Sequence, residues 1–264
     1  MKTLSIITVC KNEEATIGRT IQSVASQTYY NIEYIVIDGG STDGTLSIID
    51  RYKDDINQII SGEDTGIFDA QNRGIELASG EYIAFLNGGD RLCNDKVYEK
   101  VFSEEPNSDI IYGDVIIELT SGTLFRKKTP REIYEMFMMY DSIPHPGTVF
   151  RRELFDRLGR YDLSYKSIAD YEFFLKSIFK HKALYEYRNF PFAVFNLKGV
   201  SSKQEKTPEI AQLRRKAQQE NLSQSTIEKF EKNKTFYLLF NKKIRYIYYL
   251  LLSKISGKFL KLKS

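Results

Sequence analysis

The chain has no tryptophan, two cysteines, two histidines and six prolines among 264 residues. Two cysteines, Cys10 and Cys93, cannot form a disulfide framework in a chain this long, so a reducing compartment is the default. The absence of a Cys-X-X-Cys pair argues against a zinc ribbon. A dominant charge sign is also missing. The 38 basic and 35 acidic residues leave a net +3, which does not predict nucleic-acid binding. Long apolar runs are scarce. The opening "MKTLSIITVC" is short for a spanning helix and no small-residue cleavage site follows it, so it reads as a first strand in a cytoplasmic protein. No G-X-G-X-X-G follows that strand, which disfavours a dehydrogenase. What is present, 42% hydrophobic and 28% charged residues, is globular. The length suits one large α/β domain, or a domain of about 200 residues with an appendage.

The first part of the chain alternates two patterns. "LSIITV" (4–9), "EYIVID" (33–38), "INQIIS" (56–61) and "EYIAFL" (81–86) are apolar, β-branched runs suited to strands covered on both faces. Between them, 13–27, 41–54 and 66–79 carry apolar residues at helical spacing, with capping residues before the second and Gly80 after the third. Strand and helix repeated three times, then a strand, predict a Rossmann-like, mostly parallel sheet flanked by helices. Ligands of such sheets bind beyond the C-terminal strand ends. Four turns therefore carry the candidates.

After the first strand, Thr8, Val9 and Cys10 present backbone groups, and Asn12 adds side-chain donors or simply opens a helix. After the second, Asp38 can accept a hydrogen bond from a base N–H or a ribose hydroxyl, and Gly40 permits close backbone approach. Ser41 to Thr45 suit helix capping. After the third, Asp64 can reach the same crevice, whereas Arg73 meets either phosphate or solvent. After the fourth comes "NGGD". Asp90 supplies a hard oxygen ligand for Mg²⁺ or Mn²⁺, Asn87 an amide, and Gly88 room for a diphosphate.

Taken together, "SIITVCKNE", "YIVIDGGSTDGT", "EDTGIFDAQNRGI" and "GEYIAFLNGGD" resemble the nucleotide-binding half of glycosyltransferase family 2, inverting enzymes with the GT-A fold. The later "IPHPGTVFRRELF", "GRYD" and "IADYEFFLK" resemble its bacterial exopolysaccharide and lipopolysaccharide branch. The resemblance covers residues 1 to about 200. It implies transfer of a sugar from a nucleotide-diphosphate donor, a UDP-sugar by family habit, to a saccharide or lipid-linked acceptor. It implies that Asp38 binds the base with Thr8, Val9 and Cys10 nearby, that Asp64 joins that pocket, and that Asp90 is the metal-binding end of an Asp-X-Asp motif. It also implies that Asp170 is the base, helix capping being the alternative, and that His145 is a metal or diphosphate ligand or a structural loop residue. The chain departs from the family pattern at the start of that motif, where Asn87 is neutral. Two competing readings follow: a non-catalytic nucleotide-sugar-binding relative with an impaired metal site, and a sugar nucleotidyltransferase. The second lacks its expected glycine-rich, basic first loop.

The implied layout is a GT-A domain over 1–205, with a nucleotide half (1–95) and an acceptor half (96–205), followed by a helical extension (206–264). Within 236–264 there are seven Lys or Arg and no acidic residue among many aliphatics and aromatics. "YIYYLLL" is too short to span a bilayer. A basic amphipathic helix there predicts either peripheral attachment to the inner face of the cell membrane or packing on the domain or a homodimer partner.

Overall fold

The computed structural model describes residues 2–119, 122–196 and 207–235. The segment 236–264, with its expected membrane contact, lies outside the described residues. The elements run β1 (Leu4–Cys10), α1 (Ile17–Ala25), β2 (Ile32–Asp38), α2 (Thr45–Arg51), β3 (Gln58–Ser61), α3 (Ile67–Leu77), β4 (Tyr82–Phe85) and β5 (Arg91–Leu92). Then come α4 (Val97–Val101), β6 (Ile110–Glu118), β7 (Leu124–Lys127), α5 (Glu135–Tyr140), β8 (Thr148–Arg151), α6 (Arg152–Leu158), α7 (Ala169–Leu175), β9 (Tyr185–Asn196), α8 (Pro208–Asn221) and α9 (224–235).

Nine strands form one sheet in the order β3-β2-β1-β4-β8-β6-β9-β5, with β7 paired to β6. The expected parallel core is present: β1 pairs in parallel with both β2 and β4, and β2 with β3. The four-residue β8 then inserts antiparallel between β4 and β6. This strand was not expected, because "TVFR" is too short to show a period. β6 and β7 pair antiparallel.

Alternation along β1 explains the layers. Ile7 and Val9 face one apolar cluster with Phe68, Phe85, Phe150 and Phe173, beneath α3, α6 and α7. Leu4, Ile6 and Cys10 face the other, beneath α1, α2 and α4. Burial on both faces is why these strands read as unbroken apolar runs rather than alternating ones. Ile210, Ala217, Leu222 and Phe230 belong to the first cluster. The start of the C-terminal extension therefore packs into the main core. The α7 segment keeps α geometry to Leu175 and continues as a π turn over Lys176–Lys180.

Candidate active site

The C-terminal ends of β1, β2 and β4 lie side by side, so their turns gather at one edge. The first two are stitched together. Asn12 donates its backbone N–H to Ser41 Oγ (2.8 Å), and its Oδ1 accepts the N–H of Thr42 (2.8 Å). The Glu13 N–H reaches Thr45 Oγ1 (2.8 Å), and Asp43 accepts the N–H groups of Glu14 and Thr45. Asn12, expected to meet nucleotide, thus spends its side-chain oxygen joining the two loops.

Asp38 is fully buried. Its Oδ2 accepts the N–H of Gly40 (3.1 Å), the N–H of Ser41 (3.0 Å) and the Ser61 hydroxyl (2.7 Å), and its Oδ1 accepts the Ser41 hydroxyl (2.5 Å). Gly40, at φ +75°, lets the chain fold back over the carboxylate. Asp38, expected to offer its oxygens to a base, here holds its own turn and the Ser61 hydroxyl through these bonds. Thr8 is likewise buried, sharing a hydrogen bond with Tyr34 (3.0 Å). The Val9 carbonyl accepts the Gly88 N–H and the Cys10 carbonyl the Gly39 N–H, so their main chain serves the sheet edge. Burial, reinforced by the Asp38 charge, pushes the Cys10 thiol far above its usual range, and it stays protonated. Asp64 is better placed for a ligand. It is half-exposed, accepts the Gly66 N–H (3.0 Å), and leans over Gly39 so closely that a Cβ there would lie 2.2 Å from its Oδ2.

The NGGD turn is anchored from below. Thr20 Oγ1 accepts the Gly89 N–H (3.2 Å) and donates to the Asp90 carbonyl (2.6 Å). A side chain on Gly88 would come within 2.9 Å of Glu13 Cγ and 3.0 Å of Cys10 Cβ, so only glycine lets this turn pack so closely on the first loop. Asn87 is held by Gln71 of α3, whose Nε2 donates to its Oδ1 (3.0 Å). Asp90 is 4% exposed.

His145 does not join a metal site. Its ring stacks on Phe85 (4.9 Å between centroids, 25°) and its Nε2 pairs with the Tyr161 hydroxyl at 2.8 Å. Burial lowers its pKa to about 3, so the imidazole is neutral and structural. This placement fits the structural alternative for His145, with aromatic packing holding the ring. Among the described residues no group of three or more His, Cys, Asp or Glu is arranged to hold a metal. A divalent cation still fits in a narrower sense. Asp90 is a hard carboxylate in the NGGD turn, and ions of this type are commonly completed by substrate phosphates.

Asp170 occupies the first turn of α7, where the positive helix end favours a carboxylate. It is half-buried and accepts the Tyr171 N–H (2.8 Å). Burial, with the Asp170 charge nearby, pushes the Tyr161 hydroxyl far above its usual range. A line of contacts therefore leads from Phe85, at the end of β4, through His145 to Tyr161, whose hydroxyl lies within reach of the Asp170 charge. Asn72 of α3 fastens that line, donating to the Tyr161 carbonyl (2.9 Å) and accepting its N–H (3.0 Å). Glu172 differs from Asp170. It is buried, burial raises its pKa, and Lys176 lies 3.7 Å away.

Gln71, Asn72, Thr20 and Tyr161 escaped the sequence reading. "AQNRG" held two of them, but helical period says only that adjacent residues diverge, not what either meets.

The sequence profile described as Glycosyl transferase family 2 matches residues 5–159, more than half of the chain. A Mycobacterium bovis PGL/p-HBAD biosynthesis glycosyltransferase is 31% identical over 198 residues, covering 73% of this chain and 76% of that protein. The Escherichia coli UDP-Glc:alpha-D-GlcNAc-diphosphoundecaprenol beta-1,3-glucosyltransferase is 32% identical over 185 residues, covering 68% and 72%. Among solved structures, S. aureus TarS 1-349 in complex with UDP-GlcNAc superposes with a TM-score of 0.67 at 19% identity. That match covers 81% of this chain but 65% of the other, less than two thirds of its length. The architecture is the GT-A fold, and the chain belongs to glycosyltransferase family 2.

Proposed function

We propose that the protein is an inverting, metal-assisted glycosyltransferase that moves a sugar from a UDP-sugar to a hydroxyl of a lipid-linked saccharide in cell-surface polysaccharide biosynthesis. The observation that carries this reading is the placement of two carboxylates on the family 2 fold, one in the turn after β4 and one in the first turn of α7. Asp90 lies in the glycine turn after β4, and Asp170 stands at the start of α7, its charge acting on the buried Tyr161 hydroxyl that pairs with His145. Asp64 borders the nucleotide pocket, and Asp38 keeps its floor folded. The bacterial relative that acts on a diphosphoundecaprenol acceptor supports the acceptor class. The basic, aromatic segment 236–264 would suit the surface of an anionic membrane.

In the proposed reaction the acceptor oxygen bonds to the anomeric carbon from the face opposite the diphosphate. The bond from that carbon to the β-phosphate oxygen breaks, and its electron pair leaves with UDP. Asp170 takes the acceptor proton, as a carboxylate ionised at neutral pH can. The Asp90 carboxylate, with the donor's own phosphates, would hold Mg²⁺ or Mn²⁺, which supplies positive charge against the leaving diphosphate. Neutral His145 and protonated Tyr161 keep the wall behind Asp170 free of competing charge.

The test is UDP release from UDP-glucose in the presence of a GlcNAc-diphospholipid, with linkage stereochemistry read by NMR. Native protein should form a β-linked product, and Asp170→Asn should lower kcat by about 10²–10⁴-fold while UDP affinity holds. Binding of UDP without turnover on any of a panel of UDP-sugars would favour a non-catalytic relative. An α-linked product would refute inversion.

A further inference from the structure

We infer that Gln71 sets the direction of the Asn87 amide so that its N–H donors face the nucleotide diphosphate, giving the NGGD turn a grip on that group that needs no metal. This deepens the proposed transferase reading and rests on it.

Gln71 is fully buried on α3. Its Nε2 donates to Asn87 Oδ1 at 3.0 Å, and its own Oε1 has no hydrogen-bond partner. Two facing amides can pair in either polarity. The observed polarity leaves one Nε2 N–H of Gln71 unbonded, whereas the reverse would strand both, and stranded N–H groups are rarer in proteins than under-satisfied oxygens. Gln71 therefore draws Asn87 Oδ1 inward and turns Nδ2 away. Asn87 is half-buried, and Nδ2 makes no hydrogen bond to any described residue. Its two donors thus remain for a ligand at the turn that also carries Asp90.

The chemistry favours a diphosphate oxygen as their acceptor. A second carboxylate at position 87 would repel the diphosphate unless a cation intervened. A neutral amide removes that charge and offers donors, and hydrogen bonds to charged acceptors are the stronger kind. Gln71 acts through Asn87 and is a positioning residue. The unpaired Oε1 is the cost of this orientation.

The test is calorimetric titration of the full chain with UDP and with UMP, each in Mn²⁺ and in EDTA, for native protein, Asn87→Asp and Gln71→Met. Native protein should bind UDP measurably in EDTA. Asn87→Asp should weaken that binding about tenfold or more, the size of one charge-assisted hydrogen bond. It should affect UMP far less and regain more affinity from Mn²⁺ than native protein does. Gln71→Met frees the Asn87 amide and should weaken UDP about threefold to tenfold in EDTA. Its melting temperature should barely move, because the orphan oxygen leaves with the lost hydrogen bond. UDP affinity in EDTA that is unchanged in both variants overturns the inference, as does native UDP binding that vanishes in EDTA. Equal weakening of UDP and UMP by Asn87→Asp would put the amide on the ribose and also overturns it. No UDP binding by native protein under any condition would instead overturn the uridine-dependent transferase reading, and this inference with it.

Discussion

Replacing Asp38 by alanine separates two roles for the same carboxylate. A residue that floors the pocket by holding its turn should cost stability when removed; one that meets the nucleotide directly should cost binding alone. In the structure the buried carboxylate accepts two backbone N–H groups and two serine hydroxyls, at 2.5 to 3.1 Å. The hydroxyls can rotate toward other partners, so the two N–H groups carry the irreducible loss. At about 1.5 kcal/mol for each hydrogen bond to a charged group, Asp38→Ala should lose about 3 kcal/mol. For a chain of this size that is a fall of about 6–12 °C in Tm. Asp38→Asn keeps one acceptor oxygen for both N–H groups and should lose about 1 kcal/mol. The assay is urea unfolding of the three proteins, paired with UDP calorimetry well below the lowest melting point. A loss below about 0.5 kcal/mol in Asp38→Ala, together with abolished UDP binding, would refute the reasoning and return Asp38 to the base.

His145 makes stability depend on pH. Its folded pKa of about 3 lies below the ordinary histidine value of 6.5, so unfolding takes up a proton once the pH drops through that value. The stability is fully present above pH 6.5 and is lost as pH falls. From pH 7 to pH 5 native protein should lose about 2 kcal/mol more than His145→Gln, and a gap between the two that does not change with pH would contradict the burial argument. Gly74 is where α3 meets β1: an added Cβ would lie 2.4 Å from Ile7 Cγ2. Gly74→Ala should destabilise by about 1–2 kcal/mol despite its better helix propensity, and should turn stabilising in an Ile7→Ala background. A double-mutant cycle showing no such coupling would mean that the contact is not close.

Much of the fold was legible because its core strands are buried on both faces. β1, β2 and β4 show as unbroken apolar runs, and the helices between them show their period. β8 was not legible, because four residues carry no periodic signal and its place between β4 and β6 depends on long-range pairing. At the site, position was legible but orientation was not. The turn rule put Asp38, Asp64, Asn87 and Asp90 at the same edge. Which way each side chain points depends on neighbours distant in sequence: Ser61 for Asp38, Gln71 for Asn87.

By itself the sequence determined the parallel core, the carboxylates at its C-terminal ends and the helix start bearing Asp170, since these follow from hydrophobic period and chain order. The tertiary structure alone decided that Asp38 turns inward to its own loop, that His145 is drawn into an aromatic wall, and that Gln71 governs Asn87. The physical reason is that hydrogen-bond saturation and burial belong to surroundings. An aspartate, a histidine or an asparagine carries the same chemistry in any sequence, and only its packed neighbours determine which of its atoms remain for a ligand.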